Sequence, residues 1–237
     1  VLLDPATREI SLKVVYYGST GSGKATNLAA LHSALRPEAR GRMMTIATGD
    51  DRTLAFDVLV AGVGGMVPLR VKVFSVPTEE IHVSTRRLLL DGADGVAFVA
   101  DSRTSATESN AAAFLELSEN LHANGTDIAE MPLVIQFNKR DLPEVRSDGE
   151  LAQIARRGRE PVFLASAATG EGVRETFLGL LGVVSRRLGA RDEGGARLDV
   201  DAVLEAAGRA FTDALPREAL VQVSVGGHFG PAGPPPP

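Results

Sequence analysis

GSTGSGKATN, residues 18–27, decides how the rest of the chain is read. Gly18, Gly23 and Lys24 stand at the GxxxxGK spacing of a phosphate-binding loop. In such a loop successive backbone N–H groups and the start of a helix face phosphate oxygens, while the lysine adds a point charge near the terminal phosphates. One position departs, because Ala25 stands where a serine or threonine hydroxyl ordinarily holds a magnesium ion on the nucleotide. A glycine-rich turn between strand and helix also serves purely structural ends, since glycine supplies the positive φ of a tight turn. The flanking sequence has to choose between the two readings.

Upstream, ISLKVVYYG (10–18) is β-branched and aromatic and runs directly into the loop, and downstream residues 27–35 carry a helical period. Strand, loop and helix therefore come in the order a phosphate loop requires. TLAFDVLV (53–60) and PLRVKVFSV (68–76) flank a GVGGM turn and read as an antiparallel hairpin. GVAFVAD (95–101), PLVIQFNK (132–139) and PVFLAS (161–166) are short apolar runs of the buried-strand kind, separated by helical stretches at 107–123, 148–157 and 172–187. The stripe Leu178, Leu181, Val184 and Leu188 reads as core packing. This alternation predicts an α/β fold, a mostly parallel six-stranded sheet with helices on both faces.

A second motif, NKRD at 138–141, ends one of those buried strands. Ligands of doubly wound sheets sit at the carboxyl ends of the strands, so this end and the phosphate loop face one pocket. A polar strand exit is the plain reading. The chemical reading is guanine recognition, with the Asp141 carboxylate accepting two hydrogen bonds from ring and exocyclic nitrogens that adenine cannot offer, and Asn138 bracing the loop. At the end of the next strand, SAATGEGV (166–173) places Ser166 and offers the Ala167 backbone N–H to the guanine carbonyl. Three pieces in the right order favour guanine nucleotide. The nucleotide-binding set is then Gly18, Gly21, Ser22, Gly23, Lys24, Ala25, Thr26, Asn138, Lys139, Asp141, Ser166 and Ala167.

Composition bounds the rest. The 237 residues, 44% hydrophobic and 23% charged, suffice for one full core plus an appendage. A net charge of -5 and no long Lys/Arg run argue against a nucleic-acid partner. Asp4, Arg8, Glu9 and Lys13 interrupt what an export signal needs as an apolar core, and no apolar run approaches the roughly 20 residues of a membrane span. With no cysteine, the reducing cytoplasm is the expected compartment. His32, His82, His122 and His228 show no ligand spacing. Beyond residue 189 the composition shifts. The expected division is a nucleotide-binding domain at 1–189, a charged linker at 190–198, a helical extension at 199–225 (helical in period over 200–214) and a disordered Gly/Pro-rich tail at 226–237.

Taken together, KVVYYG with GSGKATN, TIATGDDRTLAFDVL, FSVPTEE, GVAFVADS, VIQFNKRDLP and the SA…GEGV pair resemble the Ras-like small GTPases, specifically the bacterial MglA family of polarity and gliding-motility switches. The resemblance covers about residues 8–188. It implies a P-loop, Ras-like fold, GTP or GDP with magnesium as cofactors, and a Roadblock-fold regulator gripping the switch regions, at residues 50–53 and 79–87 here. The motivating surface pattern is Ile81, Val83 and Leu88 interleaved with His82, Arg86 and Arg87. By the same resemblance Arg52 is an arginine finger in cis, and Thr53 the switch threonine that meets magnesium and the γ-phosphate. A strand-entry Arg–Thr pair with no ligand is the alternative.

Three departures share a direction. Ala25 lacks the magnesium oxygen, and Thr26, about 100° further around the helix, does not replace it. Thr78 stands where the family has the glycine whose N–H approaches the γ-phosphate, and Glu79 where it has the glutamine that orients water, so Glu79 is a degenerate catalytic position. Ser75, in place of the magnesium-shell aspartate of many Ras-like proteins, is ordinary for this family. Base recognition is kept, while the groups that hold metal and position water are lost. Magnesium held weakly, by Thr53 alone among side chains, and slow or absent turnover are the expectations. An ordinary GTPase switch and a nucleotide-free scaffold remain as alternatives.

Overall fold

The computed structural model describes residues 2–4, 9–48, 51–61, 68–77, 83–190 and 199–212. In chain order the elements are β1 (Leu2–Asp4), β2 (Glu9–Tyr17), α1 (Lys24–Ala34), β3 (Met44–Thr48), β4 (Asp51–Val60), β5 (Leu69–Ser75), α2 (Val83–Leu90) and β6 (Gly95–Asp101), then α3 (Thr107–Ala123), β7 (Leu133–Asn138), α4 (Asp148–Arg157), β8 (Val162–Leu164), α5 (Val173–Ala190) and α6 (Val200–Arg209). Seven strands form one sheet in the order β3-β4-β5-β2-β6-β7-β8, with β1 added alongside β2. β2–β5, β2–β6, β6–β7 and β7–β8 are parallel, whereas β1–β2, β3–β4 and β4–β5 are antiparallel. The sheet is thus mostly parallel, but its main path has seven strands rather than the expected six, and β1 brings the total to eight. The additional strands, β1 and β3, span three and five residues, too short to show a period of two on their own.

Burial follows position in the sheet. Central β6 is buried along its whole length, while β2 alternates at its outer end and is buried throughout at the end that enters the loop. Leu12, Val14 and Tyr16 of β2 pack with Leu28 and Leu31 of α1 and with Phe177, Leu181 and Val184 of α5. Val15 and Tyr17 face the opposite side with Leu90 of α2, Leu117 and Leu121 of α3 and Leu151 of α4. Helices therefore cover both faces. Leu178, Leu181 and Val184 are fully buried and Leu188 packs against the same cluster, as the stripe predicts.

The helix after the charged segment joins this core. Asp199 caps α6 by accepting from the Asp201 and Ala202 amides, and Val203, Leu204, Ala206 and Ala207 are buried. Burial of Val203, Leu204 and Phe211 stabilises each by about 1.5–3 kcal/mol relative to exposure. The helix stops at Arg209, earlier than its apolar period suggests, because the chain turns to pair Phe211 with Leu35. Arg36 Nε donates to the Phe211 carbonyl at 2.9 Å, the Thr212 amide donates to the Ala34 carbonyl at 3.0 Å, and the Arg174 guanidinium lies 4.6 Å over the Phe211 ring. Residues 191–198 and 213–237, which hold most of the expected linker and tail, lie outside the described residues.

Candidate nucleotide site

The loop at the end of β2 is pressed against its neighbours at Gly18 and Gly23, which explains those two glycines. A Cβ on Gly18 would collide with the Val99 carbonyl of β6, and one on Gly23 would collide with the Asn138 side-chain amide of β7. Gly23 also adopts φ 100° and ends the loop as the N-terminal flank of α1. No side chain caps that helix and no acidic residue sits in its first turn, so its free N–H groups and positive dipole end remain for an anion. Lys24 is almost fully buried, with Nζ donating to the Gly18 carbonyl at 2.7 Å and the Ser19 carbonyl at 3.0 Å. Ser22 is buried, and its Oγ has no hydrogen-bond partner among the described residues. Ala25 and Thr26 are exposed on the first turn.

Across from the loop, the end of β7 is locked to it. Asn138 Nδ2 donates to the Ser22 carbonyl at 2.9 Å, and its Oδ1 accepts from the Ala167 amide at 2.9 Å. One buried side chain thus ties the phosphate loop to the loop after β8. Ala167 N–H, which sequence reading offers to the base, is given to Asn138 in this arrangement. Ser166 Oγ donates to Asp141 Oδ1 and fixes the carboxylate, which is otherwise exposed. Lys139 takes φ 67°, a left-handed conformation unusual for a lysine, and its Nζ pairs with Asp101 Oδ2 at 2.7 Å. Gly18, Gly21, Ser22, Gly23, Lys24, Asn138, Lys139, Asp141, Ser166 and Ala167 accordingly gather at the carboxyl ends of β2, β6, β7 and β8.

Sequence reading gave Asp101 no role. Its side chain is 5% exposed at the end of β6 and also binds Arg103, with Arg103 Nη2 at 2.7 Å and the Arg103 amide at 3.0 Å. Burial pushes this carboxyl up, but the bonds from Arg103 and Lys139 outweigh it and hold it at about 2. The available signal was its place, since a carboxylate ending a buried apolar run parallels the asparagine ending β7.

The switch side looks different. Arg52 and Thr53 lie inside β4, where their backbones pair with Ala47 and Ile46 of β3. Thr53 is 2% exposed, and its Oγ1 has no hydrogen-bond partner among the described residues. Ser75 Oγ is occupied by the Leu54 amide at 3.0 Å. Thr78, Glu79, Asp50, Ile81 and His82 lie outside the described residues. Arg86, expected at the surface, is buried and ion-paired with Glu116 at 2.9 Å because α2 packs on α3. Arg87 donates to Asn120 at 3.0 Å, and Leu88 is 70% exposed. His32 is a packing residue, edge-on to Phe56 and within hydrogen-bond distance of the Gly41 carbonyl.

No family model matches the chain. It is 37% identical over 174 residues to the mutual gliding-motility protein MglA of Myxococcus xanthus, spanning 73% of this chain and 89% of that protein. This chain belongs to the MglA family of Ras-like small GTPases. A local match of 66 residues, 39% identical, relates it to the GTPase Obg of Caldicellulosiruptor bescii, but covers only 27% of this chain and 15% of that protein. The family's Ras-like P-loop fold agrees with the strand order and loop geometry above. About a quarter of the chain lies outside the MglA match.

Proposed function

We propose that this MglA-family chain binds GDP and GTP at the loop–β7–β8 site and acts by offering a nucleotide-dependent surface to protein partners, with hydrolysis slow or absent. The observation that carries the reading is Asn138, whose two amide atoms join the phosphate loop to the base loop. Asp141, aligned by Ser166, reads the guanine edge, and the uncapped start of α1 with Lys24 receives the phosphates. Magnesium, when bound, neutralises phosphate charge. The residues fit it poorly, since the Ala25 side chain carries no oxygen and Thr53 Oγ1 is enclosed within β4. Arg52, Thr78 and Glu79 complete a γ-phosphate side that is degenerate by composition.

By likeness to the gliding-motility relative, the process served is motility or polarity control in the cytoplasm, with a Roadblock-fold regulator on residues 50–53 and 79–87. Among the described residues no helix is long and apolar enough to cross a membrane. A second reading, an active switch completed by its regulator, is favoured by one observation. The Thr53 hydroxyl is buried without a partner among the described residues, and a regulator that draws β4 outward would release it. The expected 199–225 extension acts in both readings as part of the fold, through α6.

Extraction and chromatographic identification of nucleotide from purified protein is the test. Copurified GDP or GTP with slow multiple-turnover phosphate release supports the first reading. Release accelerated by an added regulator supports the second. Protein that neither retains nor binds guanine nucleotide is a nucleotide-free scaffold, and both readings fail.

A further inference from the structure

Below Asn138 on the same face of β7, the fold buries a second polar connection between the two loops. Gln136 is completely buried in the middle of a parallel sheet, where an apolar residue would pack without any desolvation cost. Its Nε2 donates to Asn27 Oδ1 on α1 at 2.9 Å and to Thr176 Oγ1 on α5 at 2.9 Å. Asn27 Nδ2 donates in turn to the Gly23 carbonyl at 3.0 Å, and Thr176 Oγ1 to the Gly172 carbonyl at 2.7 Å. Both chains end on glycines in left-handed conformations, φ 100° at Gly23 and 72° at Gly172, one closing the phosphate loop and the other closing the base loop.

The polarity of the network is determined by its ends. Backbone carbonyls only accept, so Asn27 must turn its amine to Gly23 and its oxygen to Gln136, and Thr176 must spend its proton on Gly172. Gln136 is left to donate both of its hydrogens, one to each side. Its own Oε1 has no partner among the described residues, an unfavourable burial that packing alone does not explain.

We propose that Gln136 is a positioning residue that fixes the distance between the phosphate loop and the base loop, so that a nucleoside diphosphate is held at both ends at once. The inference rests on the guanine-nucleotide reading above. Gln136 touches no nucleotide itself and acts through Gly23 and Gly172.

The test compares the full chain with Gln136→Met, Thr176→Val and the double variant, reading release of fluorescently labelled GDP by stopped flow and unfolding midpoints in urea. Release accelerates roughly five- to tenfold in each single variant, the equivalent of one internal hydrogen bond. The double variant is no faster than the faster single, because either change cuts the same connection. In Gln136→Met the removal of an unsatisfied carbonyl is set against the stranded Asn27 Oδ1, so the midpoint shifts little and faster release does not reflect general loosening. If Gln136→Met does not fold, Thr176→Val, which deletes the one hydroxyl that accepts from Gln136 and donates to the Gly172 carbonyl, carries the same expectation. Binding by the unmutated protein with unchanged release in both single variants overturns this inference alone, as does acceleration that multiplies in the double variant or tracks lost stability. An unmutated protein that binds no GDP overturns it together with the proposed function.

Discussion

On the β7–β8 side of the site, Asn138, Lys139, Ser166 and Asp141 each hold a specific partner, and a second layer through Gln136 supports them from below. On the β4 side, Thr53 keeps a buried hydroxyl with no partner among the described residues, Ser75 is committed to the neighbouring strand, and the loop position after Lys24 carries only a methyl group. Base reading depends on direction and distance, which a prebuilt hydrogen-bond lattice supplies before the ligand arrives. Stabilising the γ-phosphate depends on charge and metal oxygens, and the proposed function has the other half supply few of them. Under the proposed function the contrast is between a complete half and an incomplete one.

The largest effect is expected where the complete half meets the base. Asp141→Asn replaces a double acceptor with an amide, so GDP affinity should fall by at least about 100-fold and xanthosine diphosphate should become the better ligand. Competitive displacement of labelled GDP measures both. Equal binding of ADP and GDP by the unmutated protein would remove the basis for reading this half as guanine-specific.

A pair of substitutions sharpens the contrast by giving opposite signs. Asn138→Ala strands the Ser22 carbonyl and the Ala167 amide together, and unfolding should cost about 2–3 kcal/mol less. Thr53→Val deletes a buried hydroxyl that no described residue engages, and should leave stability unchanged or raise it by about 1 kcal/mol. Urea midpoints decide between them. A destabilised Thr53→Val would mean that the switch hydroxyl already has a structural task.

How far the site could be read beforehand follows the same division. GxxxxGK, NKRD and SAATGEGV lie at the ends of strands whose apolar runs are continuous, so both the strands and the loop positions were legible, and Asn138, Asp141 and Ser166 came together as expected. β3 was not legible, because Met44–Thr48 is an edge strand held by its pairing with β4 rather than by a pattern of its own. Nor was α2, whose partly polar turns gain their place from Arg86–Glu116 and Arg87–Asn120. Gln136 and Asp101 were visible as polar residues in apolar runs. The partners of Gln136 on α1 and α5, and Lys139 beside Asp101, are distant in sequence and emerge only from the fold.

Asp101 offers a pH-dependent check. Its carboxyl is held at about 2 in the fold against an ordinary 3.8, so the ionised form is favoured by folding. That stabilisation is complete above about pH 4 and is lost as pH falls towards 2. Asp101→Asn should therefore be less stable at pH 7, yet lose less of its stability between pH 4 and 2 than the unmutated chain. Urea midpoints at pH 7, 4 and 2.5 measure this, and parallel curves for the two proteins would show that Arg103 and Lys139 do not bind the carboxylate in solution.

The smallest effect is the one that best isolates the incomplete half. With a methyl group at Ala25 and Thr53 enclosed in β4, magnesium would be held mainly by phosphate oxygens and water, and would add little to nucleotide retention. Chelating the ion should speed GDP release by less than about threefold, well under one hydrogen bond's worth. Ala25→Thr supplies the oxygen at an exposed first-turn position, at a helix-propensity cost of about half a kcal/mol, and should make release visibly chelator-sensitive. Turnover should not return with it, because Thr78 and Glu79 still stand where the γ-phosphate contact and the water-orienting group belong. Adding Thr78→Gly and Glu79→Gln should then raise phosphate release above Ala25→Thr alone, and substituting Arg52 should cancel the gain. Strong chelator sensitivity in the unmutated chain would place a metal oxygen on this side that Ala25 and Thr53 do not provide. A triple variant no faster than Ala25→Thr would clear the two switch residues and leave the enclosure of Thr53 in β4 as the block.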